Sequence, residues 1–360
     1  MMRMIFEPNF KKAEQAAYQL HEIANITALP VKVRKIDKHF KDLKIKPYKW
    51  FAKEWGITHE ETIRLLGSDE GCCFHWKQQD IYLVLYNEKV ENQARIRWTI
   101  AHELGHYMLK HNLKSQRSIL GRGGVPDKEY DMYEKEANCF ARNFLAPPVV
   151  ITNLPHWDTY LIGELCNISF EASTHTFEFY KNGKKIGVRY SLGSKIGLRF
   201  KQFVFKVSNK KYCKNCNVSF VSETARFCEC CGSDQLTRTL FLNQGDDIEM
   251  IYPVVYSADE SGKVNICPRC LNEEMHPAGD FCPQCGLEVV NRCDDISYYS
   301  NHAPVFNCEA VLSPNQRHCH VCGCQSTFLR NGVLEPWEKI KEKAGQTTVL
   351  SEGFSKNPSL

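Results

Sequence analysis

The sequence of 360 residues lacks long apolar runs. None of its segments approaches the roughly 20 consecutive apolar residues that a helix needs to cross a bilayer. An arginine, a glutamate and a proline fall within the first eight residues, too early for the apolar core of a signal peptide. A strong net charge is also missing, because 46 Lys and Arg stand against 42 Asp and Glu. We therefore expect a soluble, cytoplasmic protein with no membrane partner.

Cysteine, in contrast, is abundant, with 18 in the chain. Thiols stay reduced in the cytosol, so paired Cys-x-x-Cys motifs favour metal binding over disulfides. At roughly 100–200 residues per domain, the length predicts two or three domains. Their charges differ: residues 1–200 hold 30 Lys and Arg against 23 Asp and Glu, and residues 201–360 hold 16 against 19. The two halves are therefore expected to differ in role.

Apolar periodicity predicts a mixed α+β fold for the first half. Thr58 is a candidate N-cap for one of its helices. The predicted helices cover 9–27, Tyr48–Trp55, His59–Leu66, Gln93–Lys110, Asp127–Leu145, Asp158–Cys166 and Phe170–Lys181, and the predicted strands cover Cys72–Lys77 and Ile81–Tyr86.

The predicted helix at 93–110 carries the pattern His-Glu-x-x-His. His102 and His106 are four residues apart, so on a helix both imidazoles lie on one face and can share a metal ion, most naturally zinc. Glu103 lies at the edge of that face, too far round to bind the metal but near a water bound to it. Zinc lowers the pKa of such a water toward ~7, and a carboxylate can then accept its proton. Glu103 is therefore the candidate general base.

Two histidines leave a catalytic zinc site incomplete, since three protein ligands are usual. The helix at 127–145 offers Glu134 and Glu136 as the third ligand. Glu134 shares a helix face with Asn138, which suits a ligand beside a group that orients one of the histidines. Glu136 points to another side of the helix, so the two carboxylates cannot both bind. Glu134 is the preferred candidate, and Glu136 is the alternative.

Two stretches, Arg97–Leu109 and Glu134–Pro147, resemble the core of the ImmA/IrrE zinc metallopeptidases, and Leu161–Lys181 resembles the helical extension that follows it. The resemblance spans roughly residues 10–185. It implies a compact gluzincin-like fold with His102, His106 and Glu134 as the zinc ligands. It also implies an intracellular endopeptidase that cleaves a helix-turn-helix repressor and so derepresses mobile-element or stress genes. The cysteine-rich second half is a departure from the short members of that family.

The second half contains an internal repeat of cysteine pairs. The spacing Cys-x2-Cys-x11-Cys-x2-Cys occurs twice, at an offset of 54 residues, and is typical of four-thiolate zinc ribbons. The predicted ligands are Cys213, Cys216, Cys228 and Cys231 in the first copy, and Cys267, Cys270, Cys282 and Cys285 in the second. Cys230, inside the last pair of the first copy, is expected to be a spare thiol.

A third copy of the repeat is imperfect. Cys308, Cys319 and Cys322 are predicted ligands of this site. Its fourth ligand stays open between Cys293, His302, His320 and Cys324. One catalytic and two to three structural zinc ions are therefore expected. The predicted organisation is a metallopeptidase domain at 1–195, ribbons at 196–245, 246–290 and 291–330, and a tail at 331–360.

Ribbons often bind nucleic acid, which requires Lys and Arg to neutralise phosphates. Residues 208–325 hold only nine Lys and Arg against 15 Asp and Glu, which favours a protein partner over nucleic acid. The basic stretch 195–214 is expected to be a solvated linker, with contact to phosphates as the alternative, and its Phe200, Phe203 and Phe205 could instead pack on the first ribbon. The alternative to a peptidase is a ribbon-based regulator that binds protein or nucleic acid and keeps a weak or inactive peptidase core.

Some residues near the metal motif receive no firm role from sequence. Stabilisation of an oxyanion requires a donor beyond the metal. His75 and His111 are expected to be ordinary surface or packing histidines. The candidates for the oxyanion donor, none of them preferred, are Tyr107, Arg122, Tyr130 and Tyr133.

Overall fold

The computed structural model describes residues 7–119, 127–238, 248–249, 255–276, 278–298 and 304–342. The chain divides into two compact units, 1–208 and 209–360. Within the described ranges, no helix combines the length and the apolar character needed to cross a bilayer.

The first unit is α+β, as predicted, with three strands near its start and helices throughout the rest. In chain order they are α1 (Phe10–Ile23), a 3-10 helix (Val33–His39), β1 (Leu43–Pro47), α2 (Tyr48–Trp55), α3 (His59–Leu66), β2 (Gly71–Trp76), β3 (Ile81–Tyr86), α4 (Gln93–Met108), α5 (His111–Lys114), α6 (Asp127–Leu145), α7 (Pro148–Ile151), α8 (Thr159–Cys166), α9 (Phe170–Lys185) and α10 (Lys195–Ser208).

Several helix bounds follow from local sequence signals. Thr58 caps α3 as predicted, and it forms a capping box with Glu61 in which each side chain bonds the other residue's backbone N–H. Asn92 accepts hydrogen bonds from the first-turn amides of α4, which fixes where that helix begins. The start of the metal-motif helix is therefore encoded immediately before it.

A three-stranded sheet of order β1-β3-β2 lies beneath α4. β1 and β3 are parallel, whereas β2 and β3 are antiparallel, with Cys73 opposite Val84. Sequence analysis does not find β1. Gly71 begins β2 at a point of close approach, because a Cβ there would lie 2.5 Å from the Thr99 side chain on α4. This contact sets the edge strand β2 directly beside the metal-motif helix.

α6 packs against both α1 and α4 and forms the centre of the helical core. Phe140 and Phe144 on α6 are fully buried, and their rings stack with centroids 5.6 Å apart. Gly105 lets α4 approach α6 closely, because a Cβ there would lie 3.1 Å from the Cα of Ala137. The two helices that carry the candidate ligands are thus held against each other by the core.

The segment expected to be a linker is helical over α10 and belongs to the first unit. Phe200 is fully buried, and its ring meets that of His21 edge-on with centroids 5.3 Å apart. The expectation that Phe200 packs on the first ribbon is wrong, because the apolar stripe of α10 lies against the helices of its own unit. The units divide after Ser208, later than the boundary at 195 expected from composition.

The second unit has little regular structure, and its described strands are short. The elements are β4 (Lys210–Cys213), β5 (Val218–Val221), β6 (Leu236–Arg238), β7 (Ile248–Glu249), β8 (Ile296–Tyr298), β9 (Pro304–Phe306) and α11 (Thr327–Arg330). A sheet of order β6-β4-β5-β7 includes Cys213, the first cysteine of the repeat, at the end of β4.

The segment after 330, expected to be a tail, contributes to the cores of this unit over its described residues. Leu334 is buried beside Cys267 and Cys282 of the second repeat copy. Trp337 and Ile340 are buried beside cysteines of the first copy. The prediction of a tail from 331 is therefore wrong as far as residue 342. The aromatic and aliphatic side chains of this segment fill space that the small ribbons leave open. Residues 343–360 lie outside the described residues.

Candidate active site

α4 presents His102 and His106 on one face, as the spacing predicts, with ring centroids 4.8 Å apart. Their Nε2 atoms are separated by 3.0 Å. Glu134 reaches the same point from α6, with carboxylate oxygens 3.3 Å from Nε2 of His102 and 3.4 Å from Nε2 of His106. The structure therefore brings together the three residues that sequence analysis selects as metal ligands.

The spacing of these three donor atoms fits a zinc ion. Zinc bonds of about 2.0–2.1 Å to nitrogen and oxygen in a tetrahedron place neighbouring ligand atoms about 3.3 Å apart. The three observed separations, from 3.0 to 3.4 Å, lie close to this value. The chemistry also fits, since two imidazoles and one carboxylate are typical of catalytic zinc, with the fourth position free for water or substrate.

The electrostatics of the three groups favour a cation between them. Burial lowers the pKa of His106, which keeps its imidazole neutral and able to bind metal. Burial alone would raise the pKa of Glu134, but hydrogen bonds with both histidines hold it well below its ordinary value. Burial also opposes a charge on His102, yet Glu134 and Glu103 together raise its pKa to about 9. Positive charge is therefore stabilised at this point.

The candidate base Glu103 lines the same cleft as the three candidate ligands. Its side chain is half-buried, and the loss of water contact within the cleft raises its pKa to about 7. The segment 67–72, which leads into β2, forms the opposite wall. The cleft is thus bounded by an edge strand and by the metal-motif helix, and it holds a carboxylate beside the candidate metal position.

Comparison with known families points to the same region. Residues 62–178 match the Peptidase_M78 family model, described as an IrrE N-terminal-like domain. This part of the N-terminal half is therefore similar to an IrrE N-terminal-like domain. The matched range contains both α4 and α6, and hence every residue of the candidate catalytic site, although it is narrower than the resemblance expected over 10–185. A search of curated proteins found no match to the chain.

Two side chains of the first unit contact the candidate histidine ligands on the side away from the cleft. Asn138 lies on α6, and its Oδ1 is 3.1 Å from Nδ1 of His102, as the i+4 pairing with Glu134 predicts. His111 is fully buried, and its Nδ1 is 2.9 Å from Nδ1 of His106. It is therefore not a surface histidine, and beyond packing it contacts a candidate ligand, which sequence analysis does not anticipate.

The rejected alternative ligand, Glu136, also has a defined place. It faces away from the three-residue group, and its carboxylate is 2.9 Å from Nε2 of His111. The position five residues after His106, at the start of a short helix, is the only sequence signal for His111. That signal is weak, since no periodicity connects it with α4.

The candidate oxyanion donors lie in different places relative to the cleft. Tyr107 donates its hydroxyl to Asp42, and Tyr133 donates to Glu129, so both are engaged outside the cleft. Tyr130 lines the cleft itself. Arg122 lies outside the described residues. Tyr130 is thus the one of these three described tyrosines that lines the cleft.

The cysteines of the first two repeats converge into two groups, each able to hold a metal ion. In the first group, the Sγ atoms of Cys213 and Cys231 are 3.7 Å apart, and so are those of Cys216 and Cys228. In the second group the corresponding distances, Cys267–Cys285 and Cys270–Cys282, are 3.5 Å. A zinc–sulfur bond of about 2.3 Å in a tetrahedron requires sulfurs about 3.8 Å apart, so both groups fit zinc.

The third group consists of Cys293, Cys308, Cys319 and Cys322. The Sγ of Cys293 is 3.3 Å from that of Cys322, which makes Cys293 the fourth member among the described candidates. Nδ1 of His320 instead contacts the side chain of Gln316. Cys324 lies near Cys322 in a smaller group with Asp295, and His302 lies outside the described residues.

Proposed function

We propose that this protein is a zinc-dependent endopeptidase. The observation that carries the proposal is the placement of His102, His106 and Glu134 at tetrahedral spacing in a cleft that also holds Glu103. The match of residues 62–178 to a peptidase family model supports it. A zinc ion held by the three ligands would act as a Lewis acid toward the carbonyl oxygen of a peptide bond.

The remaining chemistry belongs to the side chains of the chain itself. Glu103 accepts a proton from the attacking water and returns it to the leaving amine, as a general base and then a general acid. Asn138 keeps the ring of His102 in the orientation in which Nε2 faces the cleft. The edge strand β2 and the segment before it form the wall along which a peptide can lie.

The proposed substrate is a helix-turn-helix repressor, whose cleavage derepresses mobile-element or stress genes. This substrate class rests on the resemblance to the ImmA/IrrE peptidases. The acidic balance of residues 208–325 supports a role of the second unit in recognising a protein, or a signal that permits cleavage, rather than nucleic acid. The proposed place of action is the cytoplasm.

The substitution Glu103→Gln tests the proposal, because glutamine keeps the shape of the side chain but cannot accept a proton. The full chain is co-expressed with helix-turn-helix repressors encoded near its gene, and fragments are identified by mass spectrometry. We expect cleavage in the wild type and a loss of about 100-fold or more in Glu103→Gln, with the zinc content unchanged.

Glu14→Gln is the matched control, since Glu14 is a half-buried carboxylate on α1 that bonds Tyr18 outside the cleft. It should cleave at the wild-type rate. Cleavage by Glu103→Gln at that same rate would rule out the peptidase. Full biological activity of Glu103→Gln would instead favour a ribbon-based binding regulator with an inactive core.

A further inference from the structure

A chain of hydrogen bonds extends from the candidate metal site to the start of α1. His111 follows the metal-motif helix and is fully buried, with its ring against that of Tyr133 at a centroid distance of 4.5 Å. Its two ring nitrogens are both engaged: Nδ1 is 2.9 Å from Nδ1 of His106, and Nε2 is 2.9 Å from a carboxylate oxygen of Glu136. The other oxygen of Glu136 accepts the backbone N–H of Asn9 at 2.7 Å.

The direction of each bond in this chain follows from the role of His106. Its Nε2 faces Glu134 and His102, so a metal-binding His106 carries its proton on Nδ1. Nδ1–H then donates to Nδ1 of His111, which leaves the proton of His111 on Nε2. That N–H donates to the carboxylate of Glu136, which only accepts. Each of these hydrogen bonds then has one donor and one acceptor. Once Nε2 of His106 binds the metal, no other placement of the protons satisfies all of them.

Burial makes this arrangement costly to disturb. His111 is fully buried, and His106 and Glu136 are each 3 % exposed, so none of them can replace a lost partner with water. Rotating the ring of His106 would leave the nitrogen of His111 unpaired. A ligand histidine that is held in one tautomer and one orientation binds metal more tightly, because no rearrangement is needed on binding.

We infer that His111 and Glu136 are positioning residues that fix His106 as an Nε2 ligand. The backbone N–H of Asn9 anchors the far end of this series of hydrogen bonds, which we call the His106–His111–Glu136 relay. The inference rests on the metal site of the proposed function and extends it to residues outside the cleft. It predicts that metal affinity, and not only catalysis, depends on His111 and Glu136. It also connects the affinity to the docking of the N-terminal end of α1, which begins at the residue after Asn9.

The test measures zinc affinity in the full chain with His111→Phe, which keeps a buried ring but removes both hydrogen bonds. Zinc binding is measured by competition with a fluorescent chelator. The zinc that the wild type binds and His102→Ala does not is assigned to the candidate catalytic site. We expect the affinity to fall about 10- to 100-fold. Glu136→Gln should cause a smaller loss in the same direction, because its amide cannot accept both from His111 and from Asn9.

His21→Phe is the matched control. His21 is also fully buried, and its Nε2 also bonds to α6, at the carbonyl of Phe144 with a distance of 2.9 Å. It should leave the zinc affinity unchanged. In histidine-labelled protein, the Nδ1 proton of His106 should give a solvent-protected NMR signal that disappears in His111→Phe and persists in His21→Phe.

Zinc affinity within twofold of the wild type in folded His111→Phe, or in Glu136→Gln if His111→Phe does not fold, would overturn the relay. This outcome is separable from the peptidase proposal, because zinc affinity is measured without a substrate. If His111→Phe loses zinc affinity but the wild type never cleaves a repressor, the relay stands and the peptidase is refuted. If the wild type cleaves a repressor but His111→Phe keeps its zinc affinity, the peptidase stands and the relay is refuted.

Discussion

Gly105 occupies the point where the metal-motif helix touches α6. A Cβ at this position would lie 3.1 Å from the Cα of Ala137 and 3.1 Å from the ring of Phe140. Both neighbours are fully buried, and one contact is to backbone, so neither can move aside easily. The residue directly before His106 on α4 thus controls the distance between the helices that carry the candidate ligands.

We predict that Gly105→Ala lowers the free energy of unfolding by about 1–3 kcal/mol through overpacking, which outweighs the gain of about 1 kcal/mol in helix propensity. It should also weaken zinc binding, because Glu134 moves away from the histidines. Urea unfolding and chelator competition measure the two effects. Gly183→Ala in α9 is the control, since its Cβ would meet Val188 at an ordinary 3.7 Å and should be neutral or stabilising.

At the scale of elements, the first and third cysteine clusters are paired through equivalent segments. The backbone N–H groups of Arg226 and Phe227 both bond the carbonyl of His320. In return, the N–H groups of Arg317 and His318 both bond the carbonyl of Glu229. The bonded positions are related by a constant offset of 91 residues, so the two segments meet about a local pseudo-twofold axis. The imperfect third repeat therefore stabilises the first through these backbone hydrogen bonds.

Glycine is required on both sides of this pairing. Gly232 and Gly323 each follow the last cysteine of their cluster with a positive φ, of 75° and 83°. A Cβ on Gly232 would lie 2.5 Å from the carbonyl oxygen of Gly323, and the reverse contact would be 2.8 Å. Side chains at either position would push the two segments apart.

The ligand set of the third cluster can be tested by counting zinc. We predict four zinc ions per chain in the wild type and three in Cys293→Ala, because Cys293 completes the third group. The thermal stability of the second unit should fall as well, since the segment 317–323 would lose the metal that shapes it. Cys324→Ala is the control and should keep four ions. Loss of zinc in Cys324→Ala but not in Cys293→Ala would reverse the assignment.

At the scale of the whole molecule, each unit is completed by residues from a distant part of its own sequence. In the first unit, α10 returns to α1, where Lys195 forms an ion pair with Glu22 at 2.8 Å. In the second unit, the segment that ends at Ile340 supplies Trp337 to the core around Cys213 and Cys228. Small ribbons bury little apolar surface of their own, so such a segment adds stability beyond the metal.

We predict that Trp337→Ala destabilises the second unit by about 3–5 kcal/mol, the usual cost of removing a buried tryptophan. Trp337 is 3 % exposed, and its ring also lies 5.9 Å from the guanidinium of the buried Arg317. Calorimetric unfolding and the rate of zinc release from the thiolate sites measure the effect. Lys339→Ala, an exposed neighbour, should leave both unchanged.

The elements of the first unit could be predicted well where the signal is local. The capping box of Thr58 and the apolar stripes of α4 and α6 fix helices whose observed bounds differ by at most two residues from those predicted. β1, α10 and the buried role of Trp337 could not be predicted in this way. Their formation depends on partners far away in sequence, which neither periodicity nor composition reveals.

By itself, the sequence determined which residues could bind metal, because an i, i+4 spacing on a helix and a Cys-x2-Cys spacing fix ligand geometry over a few residues. Only the tertiary structure decided what holds those ligands. Glu136 meets Asn9 across 127 positions, and Arg317 meets Glu229 across 88. Such contacts form only when a core brings distant segments together, and burial then makes each hydrogen bond costly to lose. Only the tertiary structure placed His111, expected from sequence to be an ordinary histidine, beside a candidate metal ligand.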